Sequence, residues 1–153
     1  MARQGISRRA FIQYNGLATI TVAVPAWLRS GQAEAATAKN AAWEKRAKEL
    51  EGKGPIYTAD QPGKWKGKEG GHVPTATFDS SGVTVFTKHP MTTDHYITTH
   101  YIKNDKGMVI GLREFQASDN EAKSTFALPK GTKSITVYSN CNLHDLWNAG
   151  AKA

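Results

Sequence analysis

From residue 72 onward the chain is cut into short runs of alternating polar and apolar residues, separated by segments built to turn. Thr75–Phe78 and Val83–Phe86 flank Asp79-Ser80-Ser81-Gly82, and Tyr96–Ile102 and Met108–Phe115 flank Asn104-Asp105-Lys106-Gly107. Thr125–Leu128 and Ser134–Ser139 flank Pro129-Lys130-Gly131-Thr132. A period of two over four to eight residues buries one face of a strand, and runs this short leave no space for long helices. Six such strands point to an all-β, antiparallel sandwich. At 153 residues there is enough chain for one domain of ordinary size. The single cysteine, Cys141, has no partner for an intramolecular disulfide.

Upstream the pattern is different. Ser7-Arg8-Arg9-Ala10-Phe11-Ile12 reads as a twin-arginine signal, followed by an apolar run from Gly16 to Leu28 that Pro25 interrupts. Small residues at Ala33-Glu34-Ala35 offer a cleavage site. The run falls short of the about 20 apolar residues that span a bilayer. Residues 1–35 are therefore expected to be a signal peptide cleaved near Ala35, with a periplasmic product and no stable membrane anchor. Without them, sixteen basic side chains face twelve acidic ones, so the formal charge falls from +7 to +4. Export and the lack of a dense basic run argue against a nucleic-acid partner.

Residues 36–62 read as a leader. Trp43, Ala47 and Leu50 share one helical face, and Gly52 and Gly54 end it. The expectation is a short helix, or a frayed leader, packing loosely on the domain that occupies residues 63–153. Pro55, Pro62 and several glycines mark residues 54–71 as loop.

The chemistry gathers around Cys141. His144 follows three residues later, and His72, His89 and His95 stand in marked contexts: His72-Val73-Pro74 and His89-Pro90-Met91-Thr92-Thr93-Asp94-His95-Tyr96-Ile97. One thiolate and several imidazoles suit a borderline-soft transition metal. They suit structural zinc less well, because that ion takes four ligands in a closed site. The fifth histidine, His100, differs from His95 by an odd number of positions. A continuous strand would put the two on opposite faces, so His100 is expected at the surface or an interface, outside the site.

His-Val-Pro, His-Pro-Met-x-x-x-His-Tyr-Ile and Cys-Asn-Leu-His-x-Leu-Trp, in this order, resemble the iron-binding domain of the superoxide reductases, the neelaredoxin and desulfoferrodoxin family. Trp65-Lys66-Gly67 is similar to the segment that often precedes the family's first ligand. The resemblance runs from about Gly63 to Trp147. It implies an immunoglobulin-like sandwich of about seven strands. It also implies one non-haem iron per chain, held by His72, His89, His95 and His144 in a plane with Cys141 at the apex. The implied activity is one-electron reduction of superoxide to hydrogen peroxide, in defence against oxidative stress, with re-reduction by an external one-electron donor. Backbone amides around Asn142 and Leu143 are expected to hydrogen-bond the sulfur. The rubredoxin-like second iron site of some relatives needs four cysteines, which this chain lacks. Homo-oligomerisation is left open.

Two departures from the family pattern stand out. The family's Glu-Lys before the first histidine is replaced by Gly70-Gly71, with Lys68 and Glu69 displaced two residues upstream. Lys68 and Glu69 are therefore the candidate catalytic residues, reaching the site across a flexible glycine pair. Asp145 stands where a glycine commonly follows the last ligand. The competing readings are a non-catalytic iron protein on the same fold, either an electron carrier or a redox or peroxide sensor, and a copper-binding module.

Overall fold

The computed structural model describes residues 26–153; the Ser7–Ile12 motif and most of the Gly16–Leu28 run lie outside the described residues. Helix α1 (Ala26–Glu51) is followed by a two-residue strand β1 (Ile56–Tyr57), a 3-10 turn at Gly63–Trp65 and a single helical turn α2 (Glu69–His72). Seven strands follow: β2 (Thr75–Asp79), β3 (Gly82–Thr87), β4 (Ile97–Asn104), β5 (Val109–Glu114), β6 (Ala122–Phe126), β7 (Ser134–Cys141) and β8 (Asp145–Lys152).

The first two turn segments close hairpins through their side chains. Asp79 Oδ1 accepts the amides of Ser81 and Gly82, and Asn104 Oδ1 accepts those of Lys106 and Met108. Gly82 and Gly107 take positive φ there, a region that costs glycine nothing. The third segment does something else. Its flanking strands join different sheets: β6 pairs with β3 in a three-stranded sheet β2-β3-β6, whereas β7 lies between β8 and β4 in a five-stranded sheet β1-β8-β7-β4-β5. The sheets pack face to face over Val83, Val85, Ile102, Phe126, Ile135 and Val137. The expected all-β sandwich is the observed one, and β8 completes the seven longer strands.

The N-terminal segment departs from expectation. The helix starts at Ala26, ten residues before the expected leader, and its C-terminal half packs closely, not loosely. Ala47 and Leu50 are buried against Tyr101, Val109, Tyr138 and Leu146 on the outer face of the larger sheet, with Trp43 alongside. Burying a leucine stabilises by roughly 1.5–3 kcal/mol. Polar contacts fix the register: Glu44 accepts the Val109 amide (2.7 Å), Arg46 pairs with Glu114 (2.8 Å), and Glu51 accepts the Tyr101 hydroxyl (2.8 Å) and meets Lys103 (2.6 Å). No helix among the described residues is long and apolar enough to cross a membrane.

His100 is not at the surface. Its side chain is 0 % exposed, at the centre of the sandwich. The parity argument rested on a continuous strand, and the strand is not continuous: β4 begins only at Ile97, and its pairing with β7 shifts register between Ile97 and Thr99. A bulge there changes which face later residues present. His100 does stay away from the other four histidines, because the sandwich interior takes it.

A candidate metal centre at one end of the sandwich

Five side chains from separate segments meet at one end of the domain. His72 closes the α2 turn, His89 follows β3, His95 precedes β4, Cys141 ends β7, and His144 sits in the turn between β7 and β8. One ligand atom from each lies within 4.8 Å of all the others.

Three short separations link the four nitrogen atoms in turn. His72 Nε2 and His144 Nδ1 are 3.0 Å apart, His144 Nδ1 and His95 Nε2 2.9 Å, and His95 Nε2 and His89 Nε2 3.0 Å. Imidazole holds a first-row ion such as zinc at about 2.0–2.1 Å. At a right angle that length separates adjacent nitrogens by about 2.9 Å, and at a tetrahedral angle by about 3.4 Å. The observed edges match the right angle. Cys141 Sγ lies 3.7 Å from His89 Nε2 and 3.6 Å from His144 Nδ1, and its side chain is buried.

Two of the rings have their tautomers set by the backbone. His72 Nδ1–H donates to the Lys68 carbonyl at 2.8 Å and His89 Nδ1–H to that of Pro90. Each therefore presents an unprotonated Nε2 to the centre. Burial, above all, lowers the pKa of His72 to about 4, against the opposing effect of the Lys68 carbonyl. Burial likewise lowers His89 and His144, the latter helped by the nearby charges of His95 and Lys68. The lowered pKa favours the neutral imidazole in all three, the form that binds a metal. Cys141 is 2 % exposed, and its burial pushes the thiol pKa up, while the amides of Leu143 and His144 stabilise the thiolate. Those two amides point at the sulfur, one residue further along than the expected pair.

Lys68 and Glu69 are placed differently from one another. Glu69 turns back to accept the Gly67 amide with both carboxylate oxygens (3.0 and 2.8 Å), which holds its pKa below the usual range. Lys68 is exposed and close enough to His144 for its charge to be felt there. Gly70 and Gly71 are wound into α2, with the Gly71 amide donating to the Lys68 carbonyl at 3.1 Å. They form a helical turn rather than a flexible bridge. A Cβ on Gly70 would meet nothing within 4 Å, and one on Gly71 only the Lys88 carbonyl at 3.6 Å, so packing does not demand glycine at either position.

Asp145 has a role that the sequence alone did not disclose. It holds φ at 62°, the conformation that favours glycine, and its carboxylate accepts Trp65 Nε1–H (2.9 Å) and meets Lys64 Nζ (2.8 Å). Burial works to raise its pKa, but Lys64 and Trp65 outweigh it and the pKa is lowered. Trp65 is thereby held edge-on to His144, with centroids 4.7 Å apart. The clue in sequence was a polar residue that tolerates positive φ standing in the glycine position.

Four imidazole nitrogens and one cysteine sulfur, with right-angle spacing along three nitrogen–nitrogen edges, fit one non-haem iron better than tetrahedral zinc. The desulfoferrodoxin family model matches residues 64–150. Among solved structures, a superoxide reductase (neelaredoxin) from Ignicoccus hospitalis, the E23A variant, is 25% identical with a TM-score of 0.55, covering 63% of this chain and 91% of that one. The superoxide reductase from Treponema pallidum is 28% identical with a TM-score of 0.52, covering 63% and 74% respectively. No curated protein matches the chain significantly by sequence. The matched segment takes in all five converging side chains and most of both sheets, and the chain belongs to the desulfoferrodoxin family.

Proposed function

We propose that this chain is a superoxide reductase in which His72, His89, His95, His144 and Cys141 hold one iron. The observation that carries the reading is the convergence of four imidazole nitrogens and one buried sulfur within 4.8 Å of one another. That arrangement leaves the side opposite the sulfur for a small anion. Held by these five side chains, iron would supply the one electron that, with two protons, converts superoxide to hydrogen peroxide, and an external one-electron donor would return that electron. The Cys141 thiolate would donate electron density to such a metal, as cysteine does in haem enzymes. The Leu143 and His144 amides moderate that donation, and the carbonyls of Lys68 and Pro90 keep two rings oriented. The twin-arginine motif supports export to the periplasm with cleavage near Ala35, where the activity would serve oxidative-stress defence.

A second reading, a non-catalytic electron carrier or sensor, is favoured by one observation. Gly70 and Gly71 place no side chain where the family pattern has Glu-Lys. Metal analysis, a visible spectrum and superoxide decay separate the two. The expected result is one iron per chain, a thiolate-to-ferric band in air-oxidised protein, and rapid superoxide decay with a one-electron donor. The iron and the band without the decay would support the second reading. Stoichiometric zinc without a band would sink both.

Lys68 is the steering residue in this proposal. A positive charge beside an open site raises the encounter rate with an anion in a salt-dependent way. Lys68→Ala should slow the second-order reaction with superoxide by up to about tenfold at low ionic strength and far less at high salt, where the field is screened. Pulse radiolysis would read both rates. Equal low-salt rates would eliminate Lys68 and direct attention to Lys88, which precedes His89 and is exposed.

A further inference from the structure

A second polar cluster lies deeper in the sandwich and takes no direct part in holding the metal. His100 on β4, Thr87 on β3, Ser139 on β7 and Ser124 on β6 are each at most 2 % exposed and are bonded into one chain. The Thr87 hydroxyl donates to Ser139 Oγ at 2.9 Å. That uses its only proton, so Thr87 accepts from His100 Nε2–H, also at 2.9 Å. His100 Nδ1 then carries the lone pair and accepts the Ser124 hydroxyl proton at 2.9 Å. Each of the three bonds has one hydrogen, and the imidazole is neutral.

The position of this chain matters as much as its completeness. Thr87 is the last residue of β3, and its carbonyl accepts the His89 amide at 2.8 Å, so its backbone sets where that candidate ligand begins. Ser139 lies two residues before Cys141 on β7, on the same face of the strand. β3 and β7 belong to different sheets. His89 is therefore anchored to one sheet and Cys141 to the other, and the 3.7 Å between Nε2 and Sγ depends on how far apart the sheets stand there. Apolar side chains would set that distance loosely, because non-directional contacts tolerate sliding. Bonds at three 2.9 Å lengths set it closely.

We infer that His100 is a positioning residue for the metal centre, holding β3 and β7 at the separation that brings His89 and Cys141 onto one ion. The inference rests on the ligand set proposed above. It also gives a buried His100 a part in the centre, where the sequence put it at the surface or an interface, outside the site.

The test is titration of metal-stripped protein with cobalt(II), whose thiolate and d–d bands report affinity and geometry without any turnover. Circular dichroism confirms that each variant is folded. His100→Ala should weaken cobalt binding about 10- to 100-fold, the usual cost of losing an outer-shell partner, and shift the thiolate band. His100→Gln, which restores an N–H donor toward Thr87, should recover most of the loss. Thr87→Val, nearly isosteric and thus a gentler change, should act in the same direction as His100→Ala. Ile135→Ala, a core truncation outside this cluster, should lower the melting temperature and leave cobalt affinity unchanged.

Affinities within twofold of wild type, with an unmoved band, for both His100→Ala and Thr87→Val would overturn the inference. So would an equal loss in Ile135→Ala, which would mean that general stability controls the site. Wild-type protein that shows no thiolate band with cobalt would overturn the ligand set itself, and the positioning role with it.

Discussion

Cys141→Ser should keep metal on the four imidazoles yet lose the visible thiolate band and nearly all superoxide reduction, a fall of roughly a hundredfold or more. The serine hydroxyl is close to isosteric with the thiol, so the packing of Ile97, Phe115, Ala122 and Met91 around position 141 should survive. What disappears is the charge. A thiol buried to 2 % exposure resists ionisation, but a metal displaces its proton, and the Leu143 and His144 amides favour the resulting anion. A serine hydroxyl ionises far less readily and donates little density to the metal. Metal affinity should drop as well, so the rate must be compared at saturating metal. The absorption spectrum of air-oxidised protein, metal content and superoxide decay together check the prediction. A visible band of undiminished strength in Cys141→Ser would show that another group supplies the charge transfer.

The second large effect is on stability in acid. Burial, and to a lesser degree the charge of Arg113, lowers the His100 pKa to about 3, whereas an unfolded chain titrates its histidines near 6.5. The folded-state value is the depressed one, so the unfolded chain takes up the proton first as pH falls. The stability tied to neutral His100 is fully present above about pH 6.5 and is lost progressively down to about pH 3. At about 1.4 kcal/mol per pH unit, the loss approaches roughly 4–5 kcal/mol across that window, a large part of the stability of an ordinary domain. Denaturant unfolding of metal-free wild type and His100→Gln at several pH values isolates the effect, since the two differ only at residue 100. The stability difference between the two should shrink steadily from pH 6.5 toward pH 4. A difference constant over that range would mean that His100 titrates normally in the fold.

The sandwich was legible in the strands because a half-buried strand must alternate, and Thr75–Phe78, Val83–Phe86 and their successors do so. β8 was missed for the same reason. Asp145–Lys152 holds Asn148, Ala149, Gly150 and Ala151, which carry no alternation strong enough to announce a strand, and only pairing with β7 along its whole length makes it one. Helix α1 was legible as an apolar face at Trp43, Ala47 and Leu50. How tightly it docks was not, because that depends on Tyr101, Val109, Tyr138 and Leu146, residues 50 to 100 positions away.

By itself the sequence determined the class of fold and the identity of five residues that converge, because turn chemistry and strand periodicity are local properties and the three motifs are each short. It could not determine what holds those five at working distance. Whether Thr87 and Ser124 stand on either side of His100, whether a bulge at Ile97–Thr99 turns His100 inward, and whether Asp145 reaches back to Trp65 are all consequences of which strands become neighbours. Those neighbours come from both sheets and from segments up to 90 residues apart, as Ile56 and Leu146 are. Strand neighbours are chosen by the burial of the whole sandwich at once, so only the tertiary structure decides them.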